Sequence, residues 1–101
     1  MLAKSAYEPQ LRECMAINKK YSDIWFKTSN KNKVDALIDL GCLFVGLLHS
    51  LYTNNMGSTM FILNKYNAKF NPNVDAVYDE EDRIKVRGLY LGVLREIRAA
   101  C

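Results

Sequence analysis

The sequence lacks formal charge over a long central stretch. No residue between Asp39 and Lys65 is charged, and the first half of this gap, 40–52, is almost entirely apolar. Burying such a segment away from water is strongly favourable, so we expect it to form the core of the fold. Its continuous apolar part is about 13 residues long and is followed by turn-forming residues, which favours a core helix over a membrane span. We therefore expect no membrane association.

Cysteine and histidine are scarce. The three cysteines, Cys14, Cys42 and Cys101, are odd in number and contain no Cys-x-x-Cys spacing, so we expect reduced thiols in the cytoplasm and an exposed terminal thiol at Cys101. The single histidine, His49, follows Cys42 by about 10.5 Å along a helix, too far for a Cys–His nucleophile pair. A ligand pocket around Asp39, Cys42 and His49 stays open as a minor alternative, predicted to show these side chains converging in a polar cleft.

Motifs that carry enzymatic chemistry are missing. The sequence has no phosphate-binding Gly-x-x-x-x-Gly-Lys loop and no Gly-x-Ser-x-Gly elbow. The acidic run 79–82 lacks the alternating ligands and central glycine of an EF-hand, and is instead typical of a helix start. The sequence therefore predicts neither an enzyme nor a bound cofactor or metal.

The apolar residues that are present recur at helical spacing. A chain of 101 residues, half hydrophobic and a quarter charged, predicts one domain over 1–101. Its fold class is predicted to be all-α, a compact three- or four-helix bundle around a central apolar helix (about 33–52). The four predicted helices span about 9–27, 33–52, 59–70 and 79–100.

Several local features set the expected helix boundaries. Pro9 suits the first helical position, Ser58 is the predicted N-cap of the third helix, and Asn71-Pro72-Asn73 predicts a turn. Short apolar or alternating runs at 59–63 and 84–87 leave a strand as the alternative there.

Small residues form two rows at four-residue steps. Gly88 and Gly92 form one row, and Cys42, Gly46 and Ser50 form the other. Rows of this kind allow close backbone approach, so we expect the two faces to meet inside the monomer or to form an interface. A central helix this apolar has little protein to cover it in so short a chain, which favours a homodimer.

Aromatic residues are plentiful, with six Tyr, four Phe and one Trp. Tyr and Trp are frequent anchors of protein interfaces. We therefore predict a small non-enzymatic interaction protein: an adaptor, chaperone or inhibitor that binds another protein. The predicted partner interface consists of Tyr7, Trp25, Phe26, Tyr66, Tyr78, Gly88, Tyr90 and Gly92. It requires that some of these side chains are exposed.

The net charge of +3 is concentrated near the start of the chain. Residues 1–33 carry seven Lys or Arg against three acids. The alternative function is therefore a nucleic-acid-binding regulator. Its phosphate contacts would be Lys19, Lys20, Lys27, Lys31 and Lys33. A helix-turn-helix is disfavoured because its recognition helix would begin with the apolar run 60–62.

Overall fold

Four α-helices account for nearly all of the chain in the computed structural model, which describes residues 4–100. They are α1 (Lys4–Trp25), α2 (Lys31–Thr53), α3 (Met56–Val77) and α4 (Glu80–Ala100). The described residues contain no strand, so the all-α prediction is confirmed. Cys101 lies outside the described residues.

The helices run alternately up and down. Asn18 of α1 bonds to Leu37 of α2, Thr59 of α3 bonds to Ser50 of α2, and Tyr90 of α4 bonds to Asn67 of α3. Tyr21 and Asp82 join α1 to α4 and close the ring. Each helix is therefore antiparallel to the next, in an elongated bundle of 41 × 23 × 22 Å.

Helix α2 supplies eight buried residues to the core, as its composition predicts. Nevertheless, it is not enclosed by its neighbours. Ile38 and Val45 are 52% and 54% exposed, and Tyr52 is 49% exposed. The expectation that the whole apolar run is buried is therefore met on one face of the helix only.

Asparagines shape the connections on both sides of α2. Asn30 caps its start by accepting a hydrogen bond from the Lys33 N–H. Asn54 ends it in the left-handed conformation, and Asn55 caps α3 by accepting from the Ser58 N–H. The predicted cap at Ser58 was wrong, because Asn55 performs this role three residues earlier and leaves only two residues between α2 and α3.

Both prolines lie inside helices, contrary to prediction. Pro9 is within α1 and Pro72 is within α3, which continues to Val77. Both prolines are exposed, and the carbonyl that Pro72 leaves without its helical donor belongs to the exposed Ala68. Water can satisfy that carbonyl, so the cost of each proline is limited.

Candidate protein-interaction surface

Three of the predicted interface aromatics belong to the core. Tyr66, Tyr78 and Tyr90 are 9%, 2% and 6% exposed. Burial raises the pKa of Tyr78, and its hydroxyl donates to Asn18 Oδ1 at 2.6 Å. These tyrosines hold the bundle together and offer little surface to a partner.

Two further aromatics are half-buried and bonded within the chain. The Tyr7 hydroxyl donates to the Gly92 carbonyl at 3.3 Å, and Trp25 Nε1 donates to the Val77 carbonyl at 3.2 Å. Phe26 is different, because it is 53% exposed in the turn after α1. It is the member of the predicted aromatic set that presents most of its side chain to solvent.

The two small-residue rows do not meet. A Cβ at Gly88 would have no neighbour within 4 Å, and one at Gly92 would lie 3.7 Å from the Tyr7 ring. Gly46 instead faces Ile62 of α3, where an added Cβ would be only 2.8 Å from Ile62 Cδ1. The predicted contact between the rows was wrong, because α2 places Gly46 against α3 and not against α4.

The lysines of the nucleic-acid alternative divide into two groups. Lys20 Nζ donates to Asp82 Oδ2 at 2.9 Å, and Lys33 Nζ donates to the Ala76 carbonyl at 2.6 Å while lying 4.0 Å from the Trp25 ring centroid. Three others, Lys19, Lys27 and Lys31, are exposed. Two of the five lysines therefore serve contacts between helices.

A buried carboxylate lies at the junction of α1 and α4. The Tyr21 hydroxyl donates to Asp82 Oδ2 at 2.6 Å and accepts from the Asp79 N–H at 3.1 Å. The hydrogen bond from Tyr21, followed by that from Lys20, holds the pKa of Asp82 below its usual range. Burial raises the pKa of Tyr21. The arrangement locks the turn before α4 onto α1.

The residues of the minor pocket alternative do not converge in a polar cleft. Asp39 lies 3.8 Å from Lys69 Nζ in an ion pair with α3. Cys42 and His49 are exposed on the outer side of α2, beside the apolar Ile38 and Val45. Within the described part of the chain, no three His, Cys, Asp or Glu residues lie together as a metal site.

The outer side of α2 and the start of α3 instead form a continuous uncharged surface. Ile38, Cys42, Val45 and His49 follow one another at steps of four, three and four, so they line one face of α2. Next to them, α3 presents Phe61, which is 66% exposed, and the half-buried Ile62. We call these six residues the uncharged face.

The uncharged face is shallowly concave. Two open hollows of about 610 and 430 Å³ share Gly46 and His49 in their linings. Because Gly46 has no side chain, the Ile62 side chain can pack against α2 at this point, where it lines the smaller hollow. The surface therefore offers depressions that side chains of another molecule can fill.

A second concave surface lies between α3 and α4. It encloses about 340 Å³ and is lined by Met60, Leu63, Leu94 and Ile97, with Asn64, Asn67 and Arg98. Its lining mixes apolar side chains with amides and a cation, so it lacks the uniform character of the uncharged face.

Helix α2 is long and apolar enough to cross a membrane by length and composition. However, 44% of its most apolar window is buried within the bundle. The core helix of a soluble protein meets the same criterion. The structure thus accounts for the apolar character of α2 through core packing on one side and the uncharged face on the other.

Comparison with known proteins finds no family model that matches the chain, and no significant match among curated proteins or solved structures.

Proposed function

We propose that this chain is a small non-enzymatic interaction protein, acting as an adaptor, chaperone or inhibitor by binding protein through the uncharged face. One observation carries the proposal: a continuous, solvent-exposed apolar surface with no formal charge at its centre. Contiguous apolar patches of this kind mark interaction sites more often than isolated exposed side chains do.

Burial of this face provides a driving force for association. Ile38, Val45 and Phe61 are each more than half exposed, and apolar area removed from water contributes about 25 cal/mol per Å². Charged groups such as Asp39 and Lys69 lie at the margin, where they resemble the polar rim of a protein interface. The face therefore combines an apolar centre with a charged border.

A matched pair of charge insertions tests the proposal. Val45→Glu places a carboxylate on the uncharged face, whereas Leu91→Glu places one on α4 at a site of similar exposure, 50%. We expect a protein captured by the wild-type chain from nuclease-treated lysate to be lost with Val45→Glu and retained with Leu91→Glu. Equal retention by both variants would overturn the role of the uncharged face.

The alternative is nucleic-acid binding through the exposed Lys19, Lys27 and Lys31, with Lys20 and Lys33 beside them. It predicts an affinity that falls steeply with salt, because each neutralised phosphate releases counterions. Titration of labelled single- and double-stranded oligonucleotides at low and physiological salt checks it. Absent or salt-insensitive binding would remove this alternative.

A cytoplasmic location accompanies the proposal. Its support is the state of the thiols: Cys14 and Cys42 are both free, and burial raises the pKa of Cys14 to about 12. A thiol of that kind is protonated and enclosed, so it behaves as a small apolar core residue.

A further inference from the structure

We propose that the occupant of the uncharged face is a second copy of this chain, with the two α2 helices packed antiparallel about a two-fold axis. This inference rests on the proposed function, since it names the partner of the same face. A two-fold interface requires a surface that is complementary to itself, and the arrangement of residues along α2 meets this requirement.

The outer stripe of α2 is symmetric about its middle. Its polar ends are Asp35 and Tyr52, and its inner members include Ile38 and His49. Both pairs have their midpoint between positions 43 and 44. An axis at that point sets Ile38 opposite His49 of the second copy and Asp35 opposite its Tyr52. Each apolar position then meets another uncharged side chain.

Charge distinguishes the antiparallel arrangement from the parallel one. Lys4 Nζ lies 3.9 Å from the Tyr52 ring centroid, and Arg12 donates to the Tyr52 hydroxyl at 2.9 Å. Glu8 pairs with Arg12, so Lys4 leaves this end of the stripe positive. Near the other end the stripe carries the exposed Asp35, and the exposed Lys31 lies one turn before it; the proposed axis sets Lys31 opposite position 56, beyond the end of α2 in the second copy. An antiparallel dimer places the Asp35 of each copy at the cationic end of the other, so the favourable contact occurs twice. A parallel dimer places the two Asp35 side chains against each other.

The centre of the stripe allows close approach. Cys42 is small, and Gly41 and Gly46 flank it without side chains. The proposed axis sets Cys42 of each copy opposite Val45 of the other, which pairs a small residue with a larger one. Such alternation lets facing helices approach to the usual 8–10 Å between axes. Antiparallel helices also align their dipoles favourably.

Sedimentation equilibrium of the purified chain tests the dimer. We expect a mass of twice 11.6 kDa at concentrations from about 10 to 100 µM, because dimer stability depends on protomer concentration. Val45→Glu, which buries two carboxylates per dimer, should raise the dissociation constant at least about a hundredfold. Leu91→Glu should leave it unchanged. A monomeric wild type, or a Val45→Glu dimer as stable as wild type, would contradict the inference.

Cysteine cross-linking tests the orientation. In a background carrying Cys42→Ser and Cys101→Ser, a chain with Ile38→Cys is mixed with one carrying His49→Cys and mildly oxidised. The antiparallel model predicts a disulfide between the two different chains. It predicts none between two Ile38→Cys chains, whose positions would be about 16 Å apart along the axis at 1.5 Å per residue. Self-linking of Ile38→Cys alone would indicate parallel packing and overturn the proposed geometry.

The two proposals fail differently. A monomeric chain that still captures another protein, and loses it with Val45→Glu, would refute the dimer and leave the interaction surface in place. A dimer disrupted by Val45→Glu supports the second copy as the occupant and the uncharged face as an interaction surface. A monomer whose captured proteins are unaffected by Val45→Glu would refute both proposals.

Discussion

At the scale of single residues, buried polar side chains connect the helices more specifically than apolar contacts do. Asn18 Nδ2 donates to the Leu37 carbonyl at 3.1 Å, and Asn18 Oδ1 accepts from the Tyr78 hydroxyl at 2.6 Å. Gly41 keeps room for this amide, since a Cβ there would lie 3.3 Å from Asn18 Nδ2. One side chain of α1 is therefore bonded to α2 and to the residue that ends α3.

Removing the Tyr78 hydroxyl tests how much this hydrogen-bond network contributes to the stability of the fold. Tyr78→Phe leaves Asn18 Oδ1 buried without its donor, so we expect the free energy of unfolding to fall by about 1–3 kcal/mol. Tyr90→Phe is the matched control. It removes the hydrogen bond from Tyr90 to Asn67, but Asn67 is exposed and can accept a hydrogen bond from water instead. Urea unfolding of both variants provides the measurement. Equal losses of unfolding free energy in the two variants would show that the buried bond to Asn18 stabilises the fold no more than the exposed bond to Asn67 does.

The buried Asp82 should make stability depend on acid. Its pKa is lowered in the folded state by Tyr21 and then by Lys20, so its contribution is present above the unfolded pKa of about 3.9 and is lost as pH falls through the lower folded value. Asp82→Asn should therefore reduce stability at pH 7 and flatten its decline below about pH 4.

Glu81→Gln is the control for Asp82→Asn. It removes one carboxylate from the same first turn of α4, and its side chain is exposed. Both variants lose a similar favourable interaction with the helix dipole, so their difference isolates the Tyr21 and Lys20 bonds. Thermal unfolding from pH 7 to pH 2 makes the comparison, and identical pH profiles for the two variants would be inconsistent with this role of Asp82.

At the scale of helices, the glycines of α2 and α4 should respond to alanine in opposite directions. Gly88→Ala meets no atom within 4 Å, so removing a helix-interior glycine should stabilise by about 0.5–1 kcal/mol. Gly46→Ala brings its Cβ within 3.3 Å of three Ile62 carbons. The forced shift of Ile62 should outweigh the gain in helix propensity and destabilise by about 1 kcal/mol.

Chemical unfolding of the two alanine variants under identical conditions measures the contrast. Gly92→Ala adds a useful third case, because its Cβ would make ordinary contact with the Tyr7 ring at 3.7 Å, and it should behave like Gly88→Ala. A stabilised Gly46→Ala would mean that Ile62 repacks without cost and that α2 and α3 are not held at a fixed separation.

The all-α class could be predicted from the sequence because apolar residues recur at helical spacing, although the helix number stayed at three or four and the runs at 59–63 and 84–87 left a strand open. The end of α3 was missed because Pro72 was given more weight than the helical spacing of Phe70, Val74 and Val77, all of which are buried. Local turn chemistry competes with packing here, and packing prevails where the proline faces solvent. The same reasoning applies to Pro9 in α1.

The uncharged face was harder to predict than the helices. Ile38 and Val45 have the same chemistry as the buried Leu37 and Phe44 beside them, so composition could not tell which side of α2 is covered. The usable signal was the position of Asp35, Cys42 and His49. These residues lie on the same side of α2 as Ile38 and Val45, and they mark that side as the one facing solvent. Spacing alone also predicted a close contact at Gly88. In the folded bundle, Gly88 faces open space.

At the scale of the whole molecule, stability is expected to be greatest along α2. This helix contributes eight buried residues, and the two-residue connection through Asn54 and Asn55 ties it directly to α3. Amide exchange follows the free energy of local opening, which is largest where buried contacts are dense. We expect the slowest exchange in α2 between Ala36 and Leu51, even though one side of that helix faces solvent.

Amide exchange followed by NMR at two protein concentrations extends this prediction to assembly. If a second copy covers the uncharged face, protection in α2 should rise with concentration, because association stabilises only the state that binds. Val45→Glu should abolish that dependence while leaving α2 the most protected helix, since its core side is unchanged. Exchange in α2 faster than in α4 would contradict its place as the main core helix. Protection in α2 that is independent of concentration in the wild type would exclude the second copy as the occupant and leave the face to a different protein.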